Sequence, residues 1–168
     1  MTALAFALPA AAQACEGAGA EPRELRIEQA DETVLCLINQ RRRAAGVRPV
    51  RADGRLGRAA RKHSNSMDQH NFFAHTSPSG SDPVNRARSA GYLAGASSWA
   101  VGEIIRWGAG GLGTPKSAVA AWMKSPGHRV QLLSGRFRHV GVGVRYGSPA
   151  GDGSDAAIYT AVFGDRSG

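Results

Sequence analysis

The sequence is poor in several residue types and motifs, and each shortage argues against a class of protein. Aromatic residues make up only 7% of the 168 residues and are not interleaved with the basic ones, so no stacking platform for single-stranded nucleic acid is predicted. No helix-turn-helix, zinc-finger spacing or aromatic RNA-binding signature accompanies the net charge of +8, and we expect no specific nucleic-acid partner. No stretch is long and apolar enough to predict a transmembrane segment.

Motifs of covalent hydrolysis and of zinc binding are also missing. The chain contains no Gly-x-Ser-x-Gly elbow and no His-Glu-x-x-His zinc motif. Its two cysteines, Cys15 and Cys36, are better explained as one disulfide, which indicates an oxidising compartment. Closing that loop stabilises a small domain by roughly 3 kcal/mol in the chain-entropy model. In an alternative interpretation Cys15 is the acylated residue of a lipoprotein, although the preceding Ala-Gln-Ala lacks the usual leucine.

The N-terminal residues 1–14 are apolar and end in Ala-Gln-Ala, a pattern typical of signal-peptide cleavage. They lack the positively charged start of such peptides, so we interpret them as a truncated signal peptide. Residues 15–30 are polar and without periodicity and are predicted to form a leader, and residues 31–168 are predicted to form a single domain. We therefore expect a secreted or extracytoplasmic protein, and a monomer.

Arginine supplies most of the positive charge, since only three residues are lysine. Eight arginines in the first third of the domain predict a basic surface that attracts anionic partners non-specifically: Arg41, Arg42, Arg43, Arg48, Arg51, Arg55, Arg58 and Arg61. The alternative interpretation is a coding bias and a solvated helix face without a specific partner.

Capping residues and apolar spacing predict five helices. Asp31 is predicted to cap a first helix that Gly46 ends, and a second helix should cover residues 55–70. The pairs Asp-Pro, Thr-Pro and Ser-Pro at 82, 114 and 125 combine an N-cap with proline at the first helical position, so each predicts a further helix start.

Three segments predict strands: residues 99–107, 140–144 and 157–163. In the second of these, valines alternate with Gly141 and Gly143, so one face is bare and permits close approach of a helix or a ligand. The last two strands are joined by a loop that contains no helix. We therefore expect an α+β fold in which helices enclose a small, mostly antiparallel sheet.

Three residues that can bind a metal or transfer a proton are the candidate site. His75 stands where a buried helix end turns into a loop, although a packing role is the alternative. Glu103, in an apolar strand, would need a partner if buried, although it could instead face water at the strand edge. His128 falls in the first turn of a helix, where the positive terminus favours neutral imidazole, although it could simply bond its own helix end.

The remaining histidines are assigned less specific roles. His63 and His70 lie on the apolar stripe of the second helix and are interpreted as core or rim residues. His139 precedes a strand and is interpreted as a surface or edge residue. Two histidines and a carboxylate could hold zinc with an open fourth position, but His75, Glu103 and His128 lack the tight spacing of a known zinc motif.

Five phrases, in this order, together resemble the bacterial secreted form of the CAP domain, named after cysteine-rich secretory proteins, antigen 5 and pathogenesis-related 1. The resemblance covers about residues 34–164. The phrases are Arg-Lys-His-Ser-Asn-Ser-Met at 61–67, Phe-Phe-Ala-His-Thr-Ser-Pro-Ser-Gly at 72–80, Val-Gly-Glu at 101–103, Ala-Trp-Met-Lys-Ser-Pro-Gly-His-Arg at 121–129 and Val-Gly-Val-Gly-Val at 140–144.

The resemblance implies an α-β-α sandwich with a central antiparallel sheet and an open cleft, in which His75, Glu103 and His128 match the family's cleft positions. Members have been linked to divalent-metal binding, to sterol or lipid binding and in a few cases to proteolysis. This chain departs from the pattern: the helix around Trp122 has no second glutamate, and Ile104 stands where the family usually has asparagine. The resemblance therefore does not bring the full ligand set to this chain.

These observations lead to two principal hypotheses. The first is an exported binding or interaction module whose cleft holds a divalent metal such as zinc, through His75 and His128, or a small-molecule, lipid or cell-envelope ligand. The second is a hydrolase of peptides or cell-wall material, with Glu103 as the candidate catalytic base that activates a water. A third interpretation is an apolar-ligand carrier, or an adhesive protein that uses its basic helices on anionic lipid or wall polymer.

Overall fold

The computed structural model describes residues 14–168, so the signal-peptide prediction lies, except for Ala14, outside the described residues. The elements in chain order are α1 Ile27–Ala44, β1 Arg51–Ala52, α2 Gly54–Gln69, α3 Pro83–Ser89, β2 Ser98–Ala109, α4 Pro115–Lys124, α5 Pro126–Leu132, β3 His139–Tyr146 and β4 Ala156–Ser167, with a 3-10 turn at Gly110–Gly113. In this part of the chain no helix has the length and apolar character needed to cross a membrane.

The four strands form one sheet in the order β1-β3-β4-β2. The pairs β3–β4 and β4–β2 are antiparallel, and only the two-residue β1 runs parallel to its neighbour. The predicted α+β class and the three predicted strands are confirmed. The long strand β2 is an edge strand of this sheet, and that position brings it to the candidate site.

Helices cover both faces of the sheet, as the resemblance implied. On one face α1, α4 and α5 bury Ile38, Trp122 and Leu132 against the valines of β3. On the other face α2 and α3 bury Leu56 and Ala87 against β4. The chain is thus an α-β-α sandwich.

The bare glycine face of β3 is occupied by α2. A Cβ atom placed on Gly141 would lie 2.0 Å from the backbone nitrogen of Gly57, and one on Gly143 would lie 2.2 Å from that of Arg61. Both distances are far below van der Waals contact. The predicted close approach is therefore that of a helix, and it fixes α2 directly on the sheet.

The predicted start of α1 at Asp31 is wrong, because the helix begins one turn earlier. The Arg26 backbone N–H donates to Gln29 Oε1 at 3.1 Å and so satisfies the first exposed donor of the helix. Asp31 lies within the helix and bonds to other elements: its Oδ1 accepts from the Val144 backbone N–H at 2.8 Å, and its Oδ2 accepts from Arg61 at 2.9 Å. The end is as predicted, with Gly46 at φ +69° just beyond Ala44.

The Cys15–Cys36 disulfide is present and ties the N-terminal turns to α1. The same turns are held by the Thr33 hydroxyl, which donates to the Glu16 carbonyl at 2.8 Å, and by the Lys116 N–H, which donates to the Ala18 carbonyl at 2.8 Å. Because the Cys15 sulfur is in the bridge, the lipoprotein interpretation of that residue does not apply to this structure.

Arg42 does not belong to the basic surface that the sequence predicted, because its side chain is fully buried. Its guanidinium donates to the carbonyl oxygen of Leu132, the last residue of α5, and to three loop carbonyls, those of Arg48, Ser134 and Phe137. Arg42 therefore organises the loops at the end of α1, while the other seven arginines of the predicted surface remain partly or fully exposed.

Candidate functional site

Glu103 is the centre of the candidate site. It lies on β2, on the face that α2 and α3 cover, and its side chain is only 1% exposed. Its Oε1 accepts from His75 Nδ1 at 2.9 Å and its Oε2 accepts from Arg86 Nη2 at 2.8 Å. The expectation that a buried Glu103 would have a partner is met, and the alternative of a water-facing carboxylate is wrong.

Arg86 of α3 is the residue that sequence reasoning missed. Its side chain is 5% exposed, and besides Glu103 it binds the carbonyls of Ser81 and His75, at 2.6 and 2.8 Å. A buried carboxylate is costly unless a cation pairs with it, so a buried Glu103 predicts a cationic partner. Eighteen arginines in the chain left no way to select the right one.

His75 occupies the loop between α2 and α3 and is held by two contacts, through its ring and through its carbonyl. A carboxylate can only accept, so Nδ1 carries the proton in the bond to Glu103, and Nε2 has no hydrogen-bond partner among residues 14–168. The side chain is half exposed. Glu103 and Arg86 therefore orient an imidazole whose unprotonated nitrogen is available to a ligand.

His63 lies next to the bonded pair of His75 and Glu103. Its ring is buried, Nε2 donates to the Ala74 carbonyl at 2.9 Å, and the same nitrogen lies 3.7 Å from Glu103 Oε1. Burial lowers the pKa of His63, which keeps the ring neutral. The interpretation as a core histidine agrees with this structure, and the Ala74 contact adds a role in fixing the loop that holds His75.

His128 lies on α5, on the opposite side of edge strand β2. A Cβ atom on Gly102 would lie 2.4 Å from the Gln131 side chain, which shows how closely α5 packs on this strand. Burial is the largest cause that lowers the pKa of His128, and the positive charge of Arg106 adds to it. The neutral imidazole was expected from the helix terminus, but burial is its main cause.

The remaining two histidines lie outside this arrangement. His70, at the end of α2, is exposed and its ring contacts the Ser66 carbonyl. His139 begins β3 and its Nδ1 is 2.9 Å from the Tyr92 hydroxyl. These placements agree with a rim and an edge residue respectively.

The donors of the site fit a metal only in part. Within residues 14–168 no group of three or more His, Cys, Asp or Glu side chains is arranged to hold a metal ion. Both oxygens of Glu103 are already bonded, which leaves His75 Nε2 and a ring nitrogen of His128. Catalytic zinc sites usually have three protein ligands. The described residues therefore offer fewer than three free donors here, and Glu103 serves as the partner that orients His75.

Comparisons with known proteins agree with this fold. The model of the cysteine-rich secretory protein family, CAP, matches residues 35–163. The uncharacterized protein YkwD of Bacillus subtilis is 37% identical over 113 residues, which is 67% of this chain and 41% of that protein. The chain thus spans less than half the length of this curated relative.

Solved structures give the same result. An extracellular protein with an SCP domain from Bacillus anthracis superposes with a TM-score of 0.68 at 25% identity, over 82% of this chain and 40% of the other. An outer surface protein of Borrelia burgdorferi superposes with a TM-score of 0.70 at 18% identity, over 87% of this chain and 99% of the other. At that identity the second likeness concerns the fold alone.

Proposed function

The chain belongs to the CAP family of cysteine-rich secretory proteins, and on this premise we propose that it is an exported binding module whose cleft takes its ligand through His75 and His128. The family's fold does not by itself settle a function, so the proposal depends on the site. The observation that supports it most is the buried Glu103 carboxylate held between His75 and Arg86. This arrangement fixes an imidazole for binding.

Glu103 is a positioning residue in this proposal. Its side chain is 1% exposed and each oxygen accepts a hydrogen bond from a neighbouring side chain. A general base must reach the proton that it removes, directly or through one water. The closed environment of Glu103 thus favours binding over the hydrolase alternative, in which Glu103 would activate water.

The two imidazoles of His75 and His128 determine which chemical groups can bind between them. Neutral His128 and the free Nε2 of His75 are acceptors, so they suit a divalent cation such as zinc or an organic group that donates hydrogen bonds. Phe73, two residues before His75 in the chain, is 43% exposed, so this loop also presents an apolar side chain. A small molecule or lipid with a polar head and an apolar part fits the same features.

Calorimetric titration of the chelator-stripped full chain with zinc tests the metal form of the proposal. We expect weak binding that disappears in H75A/H128A and persists in H70A, which removes an exposed histidine outside the cleft. Unchanged binding in the double variant would refute the assignment. If the wild type binds no zinc, an organic ligand is the remaining occupant, and ring resonances of His75 and His128 in a small-molecule screen by NMR would identify it.

A further inference from the structure

A cavity between α2 and α3 has a strongly positive lining. It measures about 220 Å³, and its polar lining residues are Arg58, Lys62, Ser81, Arg86 and Ser89. Three of these five side chains are cationic and two are hydroxyls. Among the described residues no carboxylate lines this cavity.

Two of the three cations are not compensated by an acid. Arg86 is paired with Glu103. Arg58 is exposed, and in the described part of the chain it donates only to the Ala90 carbonyl, at 3.2 Å. Lys62 is exposed and has no ion pair within residues 14–168. The cavity therefore presents two net positive charges to a ligand.

Arg86 adds a directional donor. Its two terminal nitrogens are bonded, but its Nε is buried and has no hydrogen-bond partner among residues 14–168. Buried N–H groups are nearly always paired in folded proteins. An acceptor atom placed in the cavity within reach of this group would satisfy it.

The same two cations border a second depression along α2. Arg58 and Lys62 also line a volume of about 430 Å³, together with Asn65, Gln69 and His70. Arg58 and Lys62 of α2 therefore lie between two adjoining depressions. A single small anion would occupy part of the first, whereas a linear polyanion could contact both.

We propose that this cavity binds a phosphate group, with Arg58 and Lys62 supplying charge and Arg86 and the serine hydroxyls supplying directed hydrogen bonds. A phosphate dianion matches the two uncompensated charges, and its several oxygens match the number of donors. The phosphate is either a free ion or part of a polymer that continues along α2. This site shares Arg86 with the His75–Glu103 arrangement, but it does not depend on the ligand proposed for His75 and His128.

Titrations of the full chain with inorganic phosphate and with polyphosphate test the proposal. We expect saturable binding that is weakened about tenfold or more in R58A/K62A, since charge-assisted hydrogen bonds are lost. The matched control is R88A, which removes an exposed arginine of α3 that does not line the cavity. It should change affinity less than twofold. H75A/H128A should bind phosphate as the wild type does.

The two probes distinguish the sources of the phosphate. Polyphosphate affinity that greatly exceeds that of the free ion, and that falls again in H70A, would assign a polymer that contacts both depressions. Similar affinity per phosphate would assign the free ion. Absence of saturable binding by either probe, or equal weakening in R58A/K62A and R88A, would overturn the proposal. Thermal unfolding of each variant confirms that the comparison is between folded proteins.

Discussion

At the scale of single residues, the pairing of Glu103 with Arg86 makes a clear prediction. In E103Q the side chain keeps its shape but leaves the buried guanidinium of Arg86 without a counter-charge. Breaking a buried ion pair in this way costs about 3–5 kcal/mol, and we expect a loss of that size in the free energy of unfolding from urea titrations. The double variant R86Q/E103Q should recover part of the loss, because neither charge is then left alone. A change below about 0.5 kcal/mol in E103Q would contradict the pairing.

Asp31 predicts a pH dependence of stability. Burial raises its pKa from 3.8 to about 6, despite the bonds from Val144 and Arg61. The folded protein therefore binds this proton more tightly than the unfolded chain, and the stability contributed by protonated Asp31 is lost as pH rises from about 4 to about 6. The corresponding loss in the free energy of unfolding is at most roughly 3 kcal/mol.

Urea unfolding of the wild type and D31N at several pH values across this window measures the effect. His63 acts in the opposite sense, because its lowered pKa removes stability as pH falls below 6.5. The difference between the two proteins cancels His63 and isolates Asp31. A difference that stays constant from pH 4 to 6.5 would show that Asp31 is not perturbed.

The contacts of these residues explain what the sequence could predict at this scale. The residue types at 75, 103 and 128 and their neighbouring turns indicated a site, because each type has few structural uses in an apolar setting. The bond from His75 to Glu103 joins residues 28 positions apart, and the choice of Arg86 depends on how α3 packs on β2. Such contacts are set by tertiary structure, which no local pattern in one sequence determines.

At the scale of elements, the seating of α2 on β3 predicts a large effect from a single methyl group. In G143A the new Cβ would meet the backbone of Ala60 and Arg61, which cannot rotate away as a side chain can. We expect α2 to shift and the free energy of unfolding to fall by about 3 kcal/mol, the upper end for overpacked positions. Thermal unfolding measures the change.

The control for this substitution is G135A. A Cβ atom on Gly135 would meet no atom within 4 Å among the described residues, so this variant should unfold within a few degrees of the wild type. If the two substitutions changed stability equally, the loss of glycine's backbone freedom, and not the contact between α2 and β3, would explain the effect of G143A.

Element boundaries were predictable where the chemistry is local. Proline after Asp82 and Thr114 starts α3 and α4 as expected, because the ring fixes φ and the preceding side chain caps the helix. The start of α1 was missed because Arg26 and Gln29 form its cap without a serine, threonine or aspartate. Strand β1 was missed because two residues show no alternation, and its pairing with His139 and Val140 alone defines it.

At the scale of the whole molecule, the disulfide predicts how the protein responds to reduction. Removal of the Cys15–Cys36 bridge in C15A/C36A should lower the free energy of unfolding by roughly 3 kcal/mol, since the unfolded chain regains freedom. Thermal unfolding with and without reductant measures this. Reductant should have no effect on the variant. The binding proposed for His75 and His128 should be unchanged in this variant, because the bridge joins the N-terminal turns to α1 and not to β2, α3 or α5.

The hydrogen bond that Asp31 accepts from the Val144 N–H also affects whether two copies of the protein can associate through the edges of their sheets. Strand β1 pairs with only two residues of β3. The rest of β3 would otherwise expose unpaired backbone groups to a strand from another chain. The Asp31 carboxylate already occupies the Val144 N–H, and at the other edge strand the Trp122 indole occupies the Ile105 carbonyl. An incoming strand would have to displace a side chain at either edge. The fold thereby disfavours edge-to-edge aggregation.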